Sequence, residues 1–155
     1  MNRPGFTTSF LVDESPQQAF SAITHVRGWW SEEIEGGSAR LGDEFLYRYK
    51  DSHRCKVRLI EVVPNEKLVW LILENYFDFI DDQTEWQDTQ VVFELARKGE
   101  RTEIRFTHQG LVPEYECYDV CSSAWSTYIN GSLRSLITTG KGHPNAKQGS
   151  EASAE

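Results

Sequence analysis

His108 closes the run RTEIRFTHQG, in which Thr102, Ile104, Phe106 and His108 alternate with Glu103, Arg105 and Thr107. A period of two places His108 on the same face as Ile104 and Phe106, so an imidazole enters an otherwise apolar surface. Histidine titrates near neutral pH, and each ring nitrogen can donate or accept. That suits it to orient a polar guest or to move a proton. The same placement fits a histidine satisfied by local backbone at the strand end. Proton transfer would need a partner. Glu61, Glu74 and Glu94 fall in strand-like runs, and Glu74, in phase with Trp70, is the one alternation turns inward. Beside His108 it would make an acid–base pair suited to enolisation or dehydration. The order of Ser, Cys, His and Asp along the chain establishes no nucleophilic triad, because such partners meet in space. No catalytic residue is assigned.

Rings surround this histidine in the pattern of the chain. Trp30, Tyr47, Tyr49, Trp70, Trp125 and Tyr128 offer aromatic walls with a few hydroxyl or indole donors, the makeup of a small-molecule pocket. With His108 as the orienting polar group they form the candidate ligand-binding set. At strand and helix spacing the same rings also describe plain core. The stretch RGWWSEEIEGG sets Trp29 beside Trp30, and each ring can bury ~150–250 Å². Neighbouring residues cannot share one face of a regular element. Either both lie in an irregular segment wrapped by core, or one is inside and the other at a pocket mouth; Trp30 is expected at the entrance.

Other constellations lead away from metals and phosphates. Cys117 and Cys121 are four apart on a helical run, but no further ligand has zinc-site spacing. The carboxylates of NYFDFIDDQTEW, residues 75–86, lack the spacing and glycine of a calcium loop. Its aromatic residues mark a partner surface or a lid if exposed, or else a cluster packed over a cavity entrance. TTGKG ends a helix instead of opening one, so it is no phosphate loop. Neither a metal nor a cofactor is expected.

These residues must be carried by ordered elements. Residues 6–12 form a strand. Ser15 followed by Pro16 starts a helix with Ala19, Phe20 and Ile23 on one face, and the paired tryptophans follow in a short second helix or tight loop. Residues 43–50, 53–63, 68–73, 87–96 and 102–108 alternate as about five antiparallel strands, with a change of phase near Ile60 that signals a bulge or a part buried on both faces. From residue 113 to 139 Tyr118, Cys121, Trp125, Tyr128, Ile129, Leu133 and Leu136 make an apolar helical stripe, weakened at Gly131 and ended by Gly140. The expectation is one α+β domain over residues 1–140, a curved antiparallel sheet covered by a long C-terminal helix. Residues 141–155 are expected to be a disordered tail.

Composition narrows the function. The chain has 155 residues, a formal net charge of −8 and 16 Lys and Arg scattered among outward positions. Such a balance opposes nucleic acid. No apolar run reaches bilayer length, so membrane insertion is not expected. The odd count of three cysteines matches no disulfide framework. MNRPGFTTSF has no apolar signal core, and a cytoplasmic location is expected.

The succession GWW, GDEF, KVRLIEVVPNEKLVW, VVFEL, GERTEIRFTHQGL and AWSTYINGSLRSLI resembles the START-like helix-grip (SRPBCC) superfamily, most nearly the branch related to the C-terminal domain of the Hsp90 ATPase activator. The resemblance spans roughly residues 6–140 and lies in the order of short motifs. It implies a helix-grip fold with two short helices after the first strand and a cavity between sheet and C-terminal helix. Members of similar shape act as carriers, cyclases or co-chaperone domains, so fold does not settle function. The expectation from residues and resemblance together is binding of a small hydrophobic or aromatic molecule without catalysis. The alternatives are an Hsp90-type protein interaction module and a polyketide cyclase or dehydratase.

Overall fold

Ribbons with one apolar face pair edge to edge and then need something to cover that face. The computed structural model, which describes residues 5–49, 53–77, 86–112 and 118–144 with Tyr49 and Phe77 as backbone only, meets this need with a single antiparallel sheet. Its strands are β1 (Gly5–Val12), β2 (Ile34–Gly36), β3 (Glu44–Tyr49), β4 (His53–Val63), β5 (Lys67–Phe77), β6 (Gln90–Lys98) and β7 (Arg101–Gln109). The order across the sheet is β1-β7-β6-β5-β4-β3-β2, a meander that β1 closes by pairing with β7. β2 was not expected. Three residues are too few for alternation to register.

Helix α1 (Pro16–Thr24) begins as its cap dictates, with the Gln18 N–H donating to Ser15 Oγ at 3.1 Å. A 3-10 turn (Val26–Gly28) follows. The C-terminal helix has three segments: α2 (Tyr118–Ser126), a π-helical stretch (Thr127–Leu133) and α3 (Arg134–Thr139). Its inward residues, Cys121, Trp125, Ile129, Leu133 and Ile137, recur every four positions, and all are buried. In an α-helix of 3.6 residues per turn, each four-residue step overshoots by about 40°. The wider π turn absorbs that drift and keeps the stripe over the sheet. Gly140, at φ 84°, ends the helix with its N–H on Leu136 O.

Two irregularities set which side chains enter the interior. Ile60 is the extra residue where Leu59 faces Trp70 and Glu61 faces Val69, the bulge expected there. Leu73 is extra where Val57 faces Ile72 and Lys56 faces Glu74. One added residue reverses the phase of a strand. Glu74, expected inward, is therefore exposed, and Asn75 is buried in its place.

Past the helix, residues 141–144 turn back along it. Ser132 Oγ donates to Trp29 O (2.7 Å) and accepts from the His143 N–H (2.7 Å). Residues 145–155, the rest of the expected tail, lie outside the described residues. A Cβ on Gly142 would collide with Gly28 O and come within 3.1 Å of Ser132 O. Gly142→Ala is accordingly expected to destabilise by about 1–3 kcal/mol, since backbone rather than a mobile side chain must give way. Urea unfolding measures this, and an unchanged midpoint would contradict the close packing of this strap.

Candidate functional site

All five tryptophans of the chain meet between the sheet and the C-terminal helix. Trp29 and Trp30 follow the 3-10 turn, with the Trp30 N–H on Val26 O (2.8 Å), in an irregular segment where successive side chains both reach inward. Trp29 points toward α1, its indole N–H donating to Ile23 O at 3.1 Å. Trp30 stacks on Tyr47 with centroids 3.9 Å apart and lies 5.1 Å from Trp125. Trp70 lies nearly parallel to both Trp29 and Trp30. Phe45 and Phe93 meet Trp70 edge-on, at 5.3 and 5.0 Å. Offset and edge contacts of this kind contribute about 0.5–1.5 kcal/mol each beyond area burial.

Trp30 is not an entrance residue. It is 1% exposed and Trp29 0%, because the irregular segment is wrapped on every side by core. Tyr47, Trp70 and Trp125 are likewise buried, while Tyr128 is partly buried against Trp30 and Trp125. Tyr49 pairs with His53 through its backbone position in β3, and its side chain lies outside the described residues. So do Cys117 and residues 78–85 of the acidic aromatic loop.

His108 is fully buried and joins three parts of the fold. The Trp125 indole N–H donates to its Nδ1 at 3.0 Å. Nε2 is 2.7 Å from Thr89 Oγ1, and the Thr89 hydroxyl donates in turn to Trp86 O. With Nδ1 accepting and the Thr89 proton already committed, His108 donates from Nε2 and is a neutral imidazole. Burial, helped by the nearby His53, pulls its pKa down to about 3. Both ring nitrogens are therefore engaged within the protein.

A second imidazole lies close by. His53, 8% exposed, donates from Nε2 to Asn75 Oδ1 at 2.9 Å. Burial lowers its pKa to about 4 against the opposing effect of the Asn75 hydrogen bond. Trp86 stands edge-to-face with both histidines, at 4.8 and 4.7 Å, and stacks on Trp125 at 5.5 Å. The site thus includes His53, Asn75, Trp86 and Thr89, which sequence reasoning left out. His53 was open to recognition, since it is in phase with Cys55, Val57 and Leu59. Thr89 was open to recognition too, in phase with Val91, Phe93 and Leu95, whereas Asn75 was hidden by the Leu73 bulge and Trp86 lies in a segment without periodicity.

The arrangement provides rigid, uncharged polarity. Glu61, Glu74 and Glu94 are exposed, so none of them supplies an acid to His108. Burial raises the Cys55 thiol far above its usual range, leaving it protonated and inert. Among the described residues no cluster of His, Cys, Asp and Glu could hold a metal, and no helix is long and apolar enough to cross a membrane. Clefts of about 170 to 610 Å³ lie on the surface of the described residues; of the candidate set they involve Tyr47, at the sheet edge beside β2. Among the described residues the buried indole N–H of Trp70 has no hydrogen-bond partner.

A seven-stranded curved sheet gripping one C-terminal helix defines the helix-grip class. The chain belongs to the family described as Activator of Hsp90 ATPase homolog 1-like protein, which matches residues 15–138. Among solved structures it is similar to the Aha1 dimer from Colwellia psychrerythraea, at 20% identity and TM-score 0.71 over 90% of this chain and 99% of that one. It is also similar to DynU16, a putative protein in the dynemicin biosynthetic locus (15%, TM-score 0.64, 94% of this chain and 52% of that one). CalU16 from Micromonospora echinospora shares the fold as well, at 14% identity and TM-score 0.61 over 88% and 75% of the respective chains. At these identities the structures speak for the fold alone. No curated protein matches the chain in sequence.

The two buried histidines make stability depend on pH. Unfolded, each titrates near 6.5; folded, they titrate near 4 and 3. Between these values the unfolded chain binds more protons, so stability rises with pH. It is expected to be complete above pH ~6.5 and to fall as pH drops toward 4, by about 1.4 kcal/mol per pH unit for each histidine. Urea unfolding from pH 7 to 4.5 checks this. His53→Gln should flatten the slope by about one proton, and an unaltered slope would show that His53 is not held neutral. Trp125→Phe, which strands Nδ1 of His108, is expected to cost about 1–3 kcal/mol in the same assay.

Proposed function

We propose that this chain is a protein-interaction module of the Hsp90-activator kind, its body a solid core rather than a container. The observation that carries this reading is the filling of the space between sheet and helix by the chain's own rings. Trp29, Trp30, Trp70 and Trp125 are at most 1% exposed and in mutual contact. A guest among them would have to displace a ring and forfeit its stacking. The family supports the same reading through its description as activators of the Hsp90 ATPase. Function then belongs to the outer surface, where Leu46, Ile60 and Val120 are exposed.

A second reading, a carrier of a small aromatic molecule, is favoured by Trp70 Nε1. A buried donor without an acceptor costs about 1–3 kcal/mol, and the carbonyl of an uncharged ring compound would relieve it. For a cyclase or dehydratase, no carboxylate among the described residues completes a pair with His108.

Titration of the purified protein into an Hsp90-type chaperone, with ATP hydrolysis and binding measured together, tests the first reading. Saturable binding with a raised hydrolysis rate is expected. The reading fails if there is neither binding nor rate change. The second is supported instead if neutral aromatic carbonyl compounds raise the melting temperature, as native-state ligands do, and Trp70→Phe abolishes the rise.

A further inference from the structure

Glu14, in the turn between β1 and α1, carries a carboxylate that the fold leaves without a donor. Its backbone is pinned, since Thr102 Oγ1 donates to Glu14 O at 2.8 Å. The side chain has no such tie. Oε1 is sealed from water and has no hydrogen-bond partner, and among the described residues no lysine or arginine pairs with either oxygen. Cations close by are engaged elsewhere: Arg101 lies 3.2 Å from Asp13, and Lys98 and Arg105 both approach Glu103. The N-terminus of α1 favours a negative charge at this place, but the N–H groups of Gln18 and Ala19 go to Ser15. A carboxylate half withdrawn from water and unpaired gains more from an arriving cation than a fully hydrated one does.

Glu14 lines a cleft of about 610 Å³ between α1 and α3. Partly buried Ala22 and Leu136 give the cleft apolar surface, and exposed Gln18 and Thr139 bring polar groups from the two helices. Among the described residues lining it, Glu14 is the one carboxylate, no lysine or arginine is present, and His25 is the other titratable group. The complement is one cation on an apolar stem. With Oε1 covered, the second oxygen alone can be reached; a guanidinium fork needs both, whereas a compact ammonium needs one. The carbon stem of lysine suits the apolar surface beside it. The exposed helix residues leave the cleft too open to bury about 70–90% of a free ligand, as small-molecule sites do. A side chain carried by a larger body needs no such enclosure. We infer that this cleft receives a lysine side chain of a partner protein, its ammonium on Glu14 and its stem along Ala22 and Leu136. This inference rests on the reading of the chain as an interaction module and gives that module a contact site.

The test is an NMR titration of the isotope-labelled full chain with a blocked pentapeptide of glycine and serine around one central lysine. Amide shifts are expected within residues 14–22 and 136–140, weakening as salt is raised. A norleucine peptide, which keeps the stem and loses the charge, should bind ~10-fold more weakly. Glu14→Gln should cost the same factor, as should Gln18→Lys, which puts a like charge in the cleft. Because the Glu14 side chain holds no bond in the fold, Glu14→Gln is expected to keep the melting temperature, so lost binding reports on the cleft. The inference is overturned if the shifts map elsewhere, if the norleucine peptide or an arginine peptide binds as tightly, or if both variants bind like the unaltered protein. It is also overturned if n-butylammonium alone binds as tightly as the peptide, which would make the cleft a site for small amines. Binding of both variants to the Hsp90-type chaperone separates the two proposals. Should they bind it as the unaltered protein does, this cleft is ruled out as the contact and the module reading stands. Should the unaltered protein not bind the chaperone, the module reading falls, and selective binding of the lysine peptide would still uphold the cleft.

Discussion

The hydrogen bond from the Trp125 indole to Nδ1 of His108 ties the C-terminal helix to the sheet through buried polar groups, while at the exposed margin Asn130 Nδ2 donates to Thr8 Oγ1 of β1. Elsewhere the two layers meet through apolar surface, which attracts without specifying position. A directional bond in a dry interior does specify it, because sliding the helix would strand a buried donor and a buried acceptor together. The chain of donors continues through Thr89 to the backbone of Trp86, so helix, β7 and the segment before β6 share one register. Neutrality of the imidazole is part of this device. A proton on Nδ1 would face the indole N–H and turn an attraction into a clash.

The rings follow from that fixed spacing. With the helix held over the sheet, the gap is filled by five tryptophans and the phenylalanines that meet them edge-on. Trp29 and Trp30 both contribute because the 3-10 turn releases them from any strand or helix periodicity. The π segment serves the same end from the helix side, keeping a four-residue repeat in line and turning Ser132 toward Trp29 O. An interior assembled this way favours a rigid body that works through its exterior. The buried Trp70 donor leans the other way, toward an internal guest.

On that exterior, the rows at the two ends of the β3–β4 pair differ in their charges. Glu44 settles Arg58 and Lys56, whereas Arg54 stacks on the Tyr76 ring and has no carboxylate partner among the described residues. Surface ion pairs add little to stability, so the difference between the rows matters less for folding than for what can approach.

Much of this protein was legible in its residue pattern. Alternation marked the long strands and put Tyr47, Trp70, Phe106 and His108 inside; Ser15 with Pro16 opened α1, Gly140 closed the last helix, and the order of motifs pointed to the helix-grip class. These are local matters, set by a side chain's size, polarity and spacing along its own segment. What a side chain does after it turns inward depends on groups far away in the chain. Periodicity could place His108 in the interior, but only packing against Trp125 and Thr89 decided that its nitrogens would be spent on structure. Likewise one extra residue at Leu73 exchanged Glu74 for Asn75, and the closeness of the rings decided whether they would enclose space or fill it. Such outcomes depend on distances between segments, and a period along one strand carries no information about its distance from the helix above it.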